Sequence, residues 1–128
     1  MKKHIVALLM FISCSAWSEW VKIMEKPTPE RGGVTSFYFD PTTIRKDKDR
    51  RRVWQLTDFR GKDGEASRRY LSEYDCGQER TRGLEMTSHT GSMATGEETG
   101  SSINFPTLWS YVAPRTPDDI VMKIVCAK

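Results

Sequence analysis

Histidine and cysteine, the side chains behind most protein metal sites and many nucleophilic mechanisms, are scarce in this chain: His4 and His89, and Cys14, Cys76 and Cys126. A zinc shell takes four nitrogen or sulfur ligands, and no cluster of that kind is present. His89 has no cysteine or second histidine near it in the sequence, so it reads as a satisfied or solvent-facing ring rather than a catalytic one. No serine sits in a G-x-S-x-G elbow, and the nine glycines fall in pairs or spaced turns, not in a phosphate-cradling loop. Neither an internal repeat nor a heptad is visible. The acidic pairs Glu97 with Glu98 and Asp118 with Asp119 are poor acid/base candidates. Neighbours on a strand point to opposite faces, and the second pair suits a helix start. No catalytic residue, metal ligand or cofactor is assigned, and enzyme is the weakest class.

Long apolar runs are also missing. The longest, Ile5 to Ile12, falls well short of the about 20 residues that span a bilayer. Preceded by Lys2 and Lys3 and followed by small residues from Ser13 to Ser18, it has the three-part form of a secretory signal over residues 1–18. The formal charge of +3 comes from 20 basic and 17 acidic residues, and loss of Lys2 and Lys3 with the leader reduces the excess to one. That small excess argues against nucleic acid as the partner. Residues 19–128 then form one small domain with a modest core, in which a covalent cross-link matters.

Cys14 is open to two fates. A lipid-attachment site takes an aliphatic residue three positions before its cysteine, where this chain has Phe11. Ordinary cleavage takes small residues at the first and third positions before the cut, and Ser18 and Ala16 supply them ahead of Glu19. The second is favoured, so the protein meets a membrane only if Cys14 is acylated. Either way Cys76 and Cys126 remain as a pair in a compartment where disulfides persist. The alternative is two free thiols or a metal pair, which two cysteines without a histidine cluster serve poorly.

Along the mature chain, Trp20 to Met24 predicts a first strand and KPTPERGG (26–33) a loop. VTSFYFD (34–40) is a strand stopped by Pro41. RKDKDRRR (45–52) has the form of a hairpin tip, and RVWQLTDF (52–59) an alternating strand with Trp54 and Leu56 on its buried side. GKDGEAS (61–67) connects to RRYLSEYDC (68–76), whose two-residue period sends Tyr70, Tyr74 and Cys76 to one face. RTRGLEMTSHT (80–90) alternates with Leu84 and Met86 inward, and the glycine-rich stretch after it ends in a weak edge strand near residues 97–103. TPDDIVMKIVCAK (116–128) predicts the one helix, with Thr116 as N-cap, Pro117 in the first turn, Asp118 and Asp119 at its positive end and Lys128 at its negative end.

The aromatics Trp20, Tyr38, Phe39, Trp54 and Trp109 are assigned to the core, with a stacking platform as the alternative. Arg45, Lys46, Lys48, Arg50, Arg51 and Arg52 form the candidate binding patch, suited to acidic protein, anionic lipid or sulfated polysaccharide; a solvated turn is the plainer reading.

The order WVKI (20–23), FYFDPTTIRK (37–46), VWQLTDF (53–59), YLSEYDC (70–76), GSMATGE (91–97), Trp109, Pro114 and a terminal IVC (124–126) resembles the surface-adhesin protein E family over nearly the whole mature chain. The resemblance implies an α+β fold: a small antiparallel sheet with a C-terminal helix packed on it and pinned by a Cys76–Cys126 bridge. It also implies an exported adhesin-like binding protein of the periplasm, outer membrane or cell surface. The family includes a dimeric outer-membrane lipoprotein that binds laminin, vitronectin and plasminogen, so matrix proteins and a homodimer are the expected partners. A soluble periplasmic binding or inhibitor module, recognising a small molecule or an envelope protein, is the alternative.

Overall fold

The computed structural model describes residues 18–31, 33–59, 65–101 and 105–127. Residues 1–17 of the predicted leader, with Cys14, most of the 61–67 connector, the last two residues of the predicted 97–103 edge strand and Lys128 lie outside the described residues. The strands are β1 (Val21–Thr28), β2 (Gly33–Phe39), β3 (Arg45–Asp47), β4 (Arg50–Asp58), β5 (Ser67–Asp75), β6 (Arg80–His89), β7 (Glu98–Ser101) and β8 (Ser110–Tyr111); the helix is α1 (Pro117–Val125). All pairings are antiparallel, in the order β1-β2-β4-β5-β6-β7. β3 pairs with the first residues of β4 and β8 with the first residues of β6, so each extends an outer neighbour of the long central strands. This is the α+β architecture expected from the sequence, with β4, β5 and β6 at its centre.

Helix α1 covers one face. Val121, Met122 and Val125 meet Phe39, Val53 and Tyr74 in the core, with Ile23, Ile44, Val112 and Cys126 packed around them. Four β-branched residues, Ile120, Val121, Ile124 and Val125, disfavour so short a helix on propensity alone. Local and tertiary contacts override this. Thr116 Oγ1 accepts the Asp119 amide, and Asp119 Oδ2 accepts the Arg115 amide at 2.9 Å and Lys123 Nζ at 3.1 Å. At the other end, Cys126 is bonded to Cys76, with Cα atoms 5.7 Å apart. Arg51 Nε donates to Val125 O at 3.1 Å, so the C-terminal carbonyls are met by an arginine from the sheet where the sequence pointed to Lys128.

Three expectations are corrected. β1 runs on through Pro27 opposite Val34, which an edge strand tolerates because its outward N–H is not needed. The helix-covered side of β4 is Val53, Gln55 and Thr57, not Trp54 and Leu56; Leu56 is nonetheless buried on the opposite face. Leu56 lies next to Ser67, whose hydroxyl donates to Gly91 O at 2.6 Å and accepts the Ala94 amide at 2.9 Å, drawing the turn at Ser92–Ala94 over that end of the sheet. Of the five aromatics assigned to the core, only Phe39 is there. Trp54 and Trp109 lie among arginines on the uncovered face.

The bridge closes a separation of 50 residues, for which chain entropy gives about 4 kcal/mol of stabilisation. Cys126→Ser is expected to lose most of that in urea unfolding, with the same loss in the parent protein under reductant. A change below about 1 kcal/mol in both would show that α1 docks without its covalent link.

Candidate binding surface

Two rows of charge cross the sheet face that α1 leaves uncovered. Register sets them: Arg45 pairs with Arg52, Arg52 with Glu73, and Glu73 with Arg82. One repeat along, Asp47 pairs with Arg50, Arg50 with Asp75, and Asp75 with Arg80. The two-residue period of each strand carries both rows onto the same side, and cross-strand neighbours about 5 Å apart can then form ion pairs.

Glu73 is the hub. Its side chain is 2% exposed, and Arg52 Nε donates to Oε2 at 2.9 Å while Arg82 donates to Oε1 from Nη2 at 2.7 Å and from Nε at 3.0 Å. Arg50 Nη1 stands 3.8 Å from the same carboxylate. Burial pushes the Glu73 carboxyl up, but the hydrogen bonds and charges of Arg52 and Arg82 outweigh it and hold the pKa below the usual glutamate range. Asp75 behaves alike. Burial raises it, yet the Gln78 and Gly77 amides at 3.1 Å and Arg80 Nε at 3.1 Å bring it down.

Trp109 completes the surface. The guanidiniums of Arg82, Arg80 and Arg50 lie 4.4, 4.7 and 5.3 Å from its ring centroid. A ring face attracts cations, so the indole spaces three like charges without adding a negative one. Arg50 and Arg52 remain about half exposed, and a cleft of about 530 Å³ runs beside Arg50 between the Lys48–Asp49 turn and the turn at Gly77–Gln78.

The six residues expected to form one patch do not share a face. Arg45, Arg50 and Arg52 join the rows, Lys46 pairs in register with Arg51, and Lys48 sits at the turn with φ +53°. Arg51 points to the helix side, where it holds the α1 carbonyl. Conversely, Glu73, Asp75, Arg80 and Arg82 were not singled out in the sequence, and Trp109 was assigned to the core. The signal was the alternation in R-x-R (80–82) and E-x-D (73–75). His89, buried, has Nε2 3.0 Å from Thr87 Oγ1. Among the described residues no group of three or more His, Cys, Asp or Glu could hold a metal, and no helix is long and apolar enough to cross a membrane.

The family profile of surface-adhesin protein E matches residues 20–127. This chain belongs to the surface-adhesin protein E family. The fold is similar to Haemophilus influenzae protein E in crystal form II, at a TM-score of 0.61 and 14% identity over 71% of this chain and 80% of that one. Protein E from non-typeable Haemophilus influenzae aligns at a TM-score of 0.57 and 12% identity over 89% of this chain and 79% of its own. No curated protein matches the sequence. At such identities the structural likeness speaks for the fold, and the surface-adhesin protein E assignment rests on the family profile.

A depressed carboxyl pKa means that the folded state binds fewer protons than the unfolded one, so the stabilisation is complete above the ordinary glutamate value and is lost as pH falls through the lower, folded-state value. Glu73→Gln is expected to cost about 2 kcal/mol at pH 7 and to flatten part of the acid-side loss in urea titrations, with Asp75 retaining its share. An unchanged pH profile would show that Glu73 is not the hub.

Proposed function

We propose that this chain is an exported, non-enzymatic binding protein of the adhesin type, which contacts acidic groups on host or extracellular-matrix protein through Arg45, Lys48, Arg50 and Arg52, backed by Arg80 and Arg82. The observation that carries the reading is the half-exposed Arg50 and Arg52, held in place by a buried carboxylate and an indole. Guanidiniums fixed in this way lose little side-chain entropy when they meet a carboxylate or sulfate, so matrix protein and sulfated polysaccharide are both suitable ligands. The location is outside the cytoplasm, in the periplasm or at the outer-membrane surface. The end strand β7 offers unpaired backbone groups for a second copy, as edge strands do.

The triple change Arg45→Ser, Lys48→Ser and Arg50→Ser spares the two arginines hydrogen-bonded to Glu73. It is expected to lower the salt needed to elute the protein from heparin and to weaken capture on matrix-coated surfaces, with the thermal midpoint nearly unchanged. Arg51→Ser should do the reverse, costing about 1 kcal/mol of stability without altering retention. Equal retention of the triple variant and the parent would retire the surface. For the β7 contact, sedimentation showing only monomer at high protein concentration would count against self-pairing.

A further inference from the structure

Beyond the charge rows, the same sheet face holds a cavity of about 370 Å³ with a different character. Trp54, Leu84 and Phe105 give it apolar walls, Arg69 supplies a cation, and Glu85, Met86 and Thr87 complete the lining. Its volume is in the range of small-molecule sites, which combine mostly apolar walls with a few polar groups.

Arg69 is the unusual member. Arg50, Arg52, Arg80 and Arg82 each pair with Glu73 or Asp75, and Arg68 pairs with Glu65. Among the described residues Arg69 makes no ion pair, and its Nε is buried without a hydrogen-bond partner. Its guanidinium lies 4.7 Å from the Trp54 ring centroid, a contact that orients the group but accepts no N–H. A cation that lines a cavity without an ion pair suits an anionic ligand, and a guanidinium edge matches a carboxylate in the two-point geometry of Arg–carboxylate pairs.

The cavity wall is also fixed in place. Gly83 sits at the bulge of β6 opposite the Leu71/Ser72 step, and a Cβ there would come within 2.8 Å of the Phe105 ring. Glycine therefore lets the ring lie against the strand. The Thr107 amide donates to Gly83 O at 2.9 Å and the Gly83 amide to Thr107 Oγ1 at 2.8 Å, which ties the Phe105 segment to β6.

We propose that this cavity binds a small organic monocarboxylate with an aromatic or branched apolar body. The carboxylate accepts from Arg69, and the body lies among Trp54, Leu84 and Phe105. One negative charge is the limit, because the Glu85 carboxylate in the lining opposes a second. The site is separate from the surface assigned to adhesion, and either can fail without the other.

The test is calorimetric or ligand-observed NMR titration of the full mature protein with 4-phenylbutanoate, beside 4-phenylbutanamide of nearly equal shape. Saturable binding of the acid is expected, at least tenfold tighter than the amide. Arg69→Met, which keeps an apolar chain over Trp54, should lose at least tenfold; Glu85→Gln should gain severalfold; the Arg45, Lys48, Arg50 triple variant should bind like the parent. Should Arg69→Met fail to fold, Leu84→Trp closes the cavity instead and should abolish binding. Absence of saturable binding by the acid, equal binding of acid and amide, or binding indifferent to both the Arg69 and Leu84 changes would overturn the proposal.

Discussion

A carboxylate buried in a β-sheet has to be neutralised where it stands, and Glu73 is neutralised by arginines from both neighbouring strands, Arg52 on β4 and Arg82 on β6. Those pairs constrain more than one side chain. Slipping β5 by one residue would send Glu73 to the helix face, among Val53, Val121 and Val125, where no arginine pair waits and burial of the charge would cost several kcal/mol. The carboxylate thus selects one register for three central strands, and with it the order in which every other charge on that face is displayed.

The same strand organises the opposite side. Tyr74 follows Glu73 in sequence and so faces α1, with Oη 2.8 Å from Gln55 Oε1 and 2.8 Å from Asp118 Oδ1. A hydroxyl has one hydrogen, and a carboxylate can only accept it, so the amide contact is best made by the Gln55 NH₂ group. Interchanging the amide oxygen and nitrogen also gives the otherwise unpartnered buried Nε2 its acceptor. Burial first, and then the nearby Asp118 charge, raise the Tyr74 pKa well above its ordinary value, so the phenol keeps its proton. The helix is consequently held near its start by Tyr74 and just past its end by Cys76. Both residues follow Glu73 at the same end of β5.

These dependencies explain which parts could be read in the sequence. The helix start was legible because Thr116, Pro117 and the two aspartates act on neighbouring backbone groups. The hairpin tip and the facing of Tyr70, Tyr74 and Cys76 were legible because turn chemistry and the two-residue period are local. Partner choice between strands is not local: nothing within residues 45–52 says that Arg80 and Arg82 lie across β5 from them. Arg51 was misplaced by treating a basic run as one surface, although alternation already separates it from Arg50 and Arg52. The tryptophans were misplaced for another reason. Their large apolar area argues for a core, whereas the charge distribution of the ring favours a guanidinium over its face, and on this sheet the arginines decide the outcome.

A nearly neutral mature chain can still present a cationic surface, because charge at a contact is local. The first row holds three arginines and one carboxylate, while in the second each of two arginines stands beside an aspartate. The excess therefore gathers along Arg45, Arg52 and Arg82, with Lys48 at the nearby turn, and the second row frames it without extending it. With a Debye length of about 8 Å at physiological salt, an approaching acidic group senses this row and little of the compensating charge elsewhere. Such a surface favours ligands whose negative groups repeat along a line over those that carry one charge. The apolar cavity at Arg69, with a single cation and a carboxylate beside it, has the opposite preference. One sheet face therefore presents two electrostatically distinct places: the arginine rows gathered around a buried glutamate, and a cavity in which Arg69 stacks on Trp54 and makes no ion pair among the described residues.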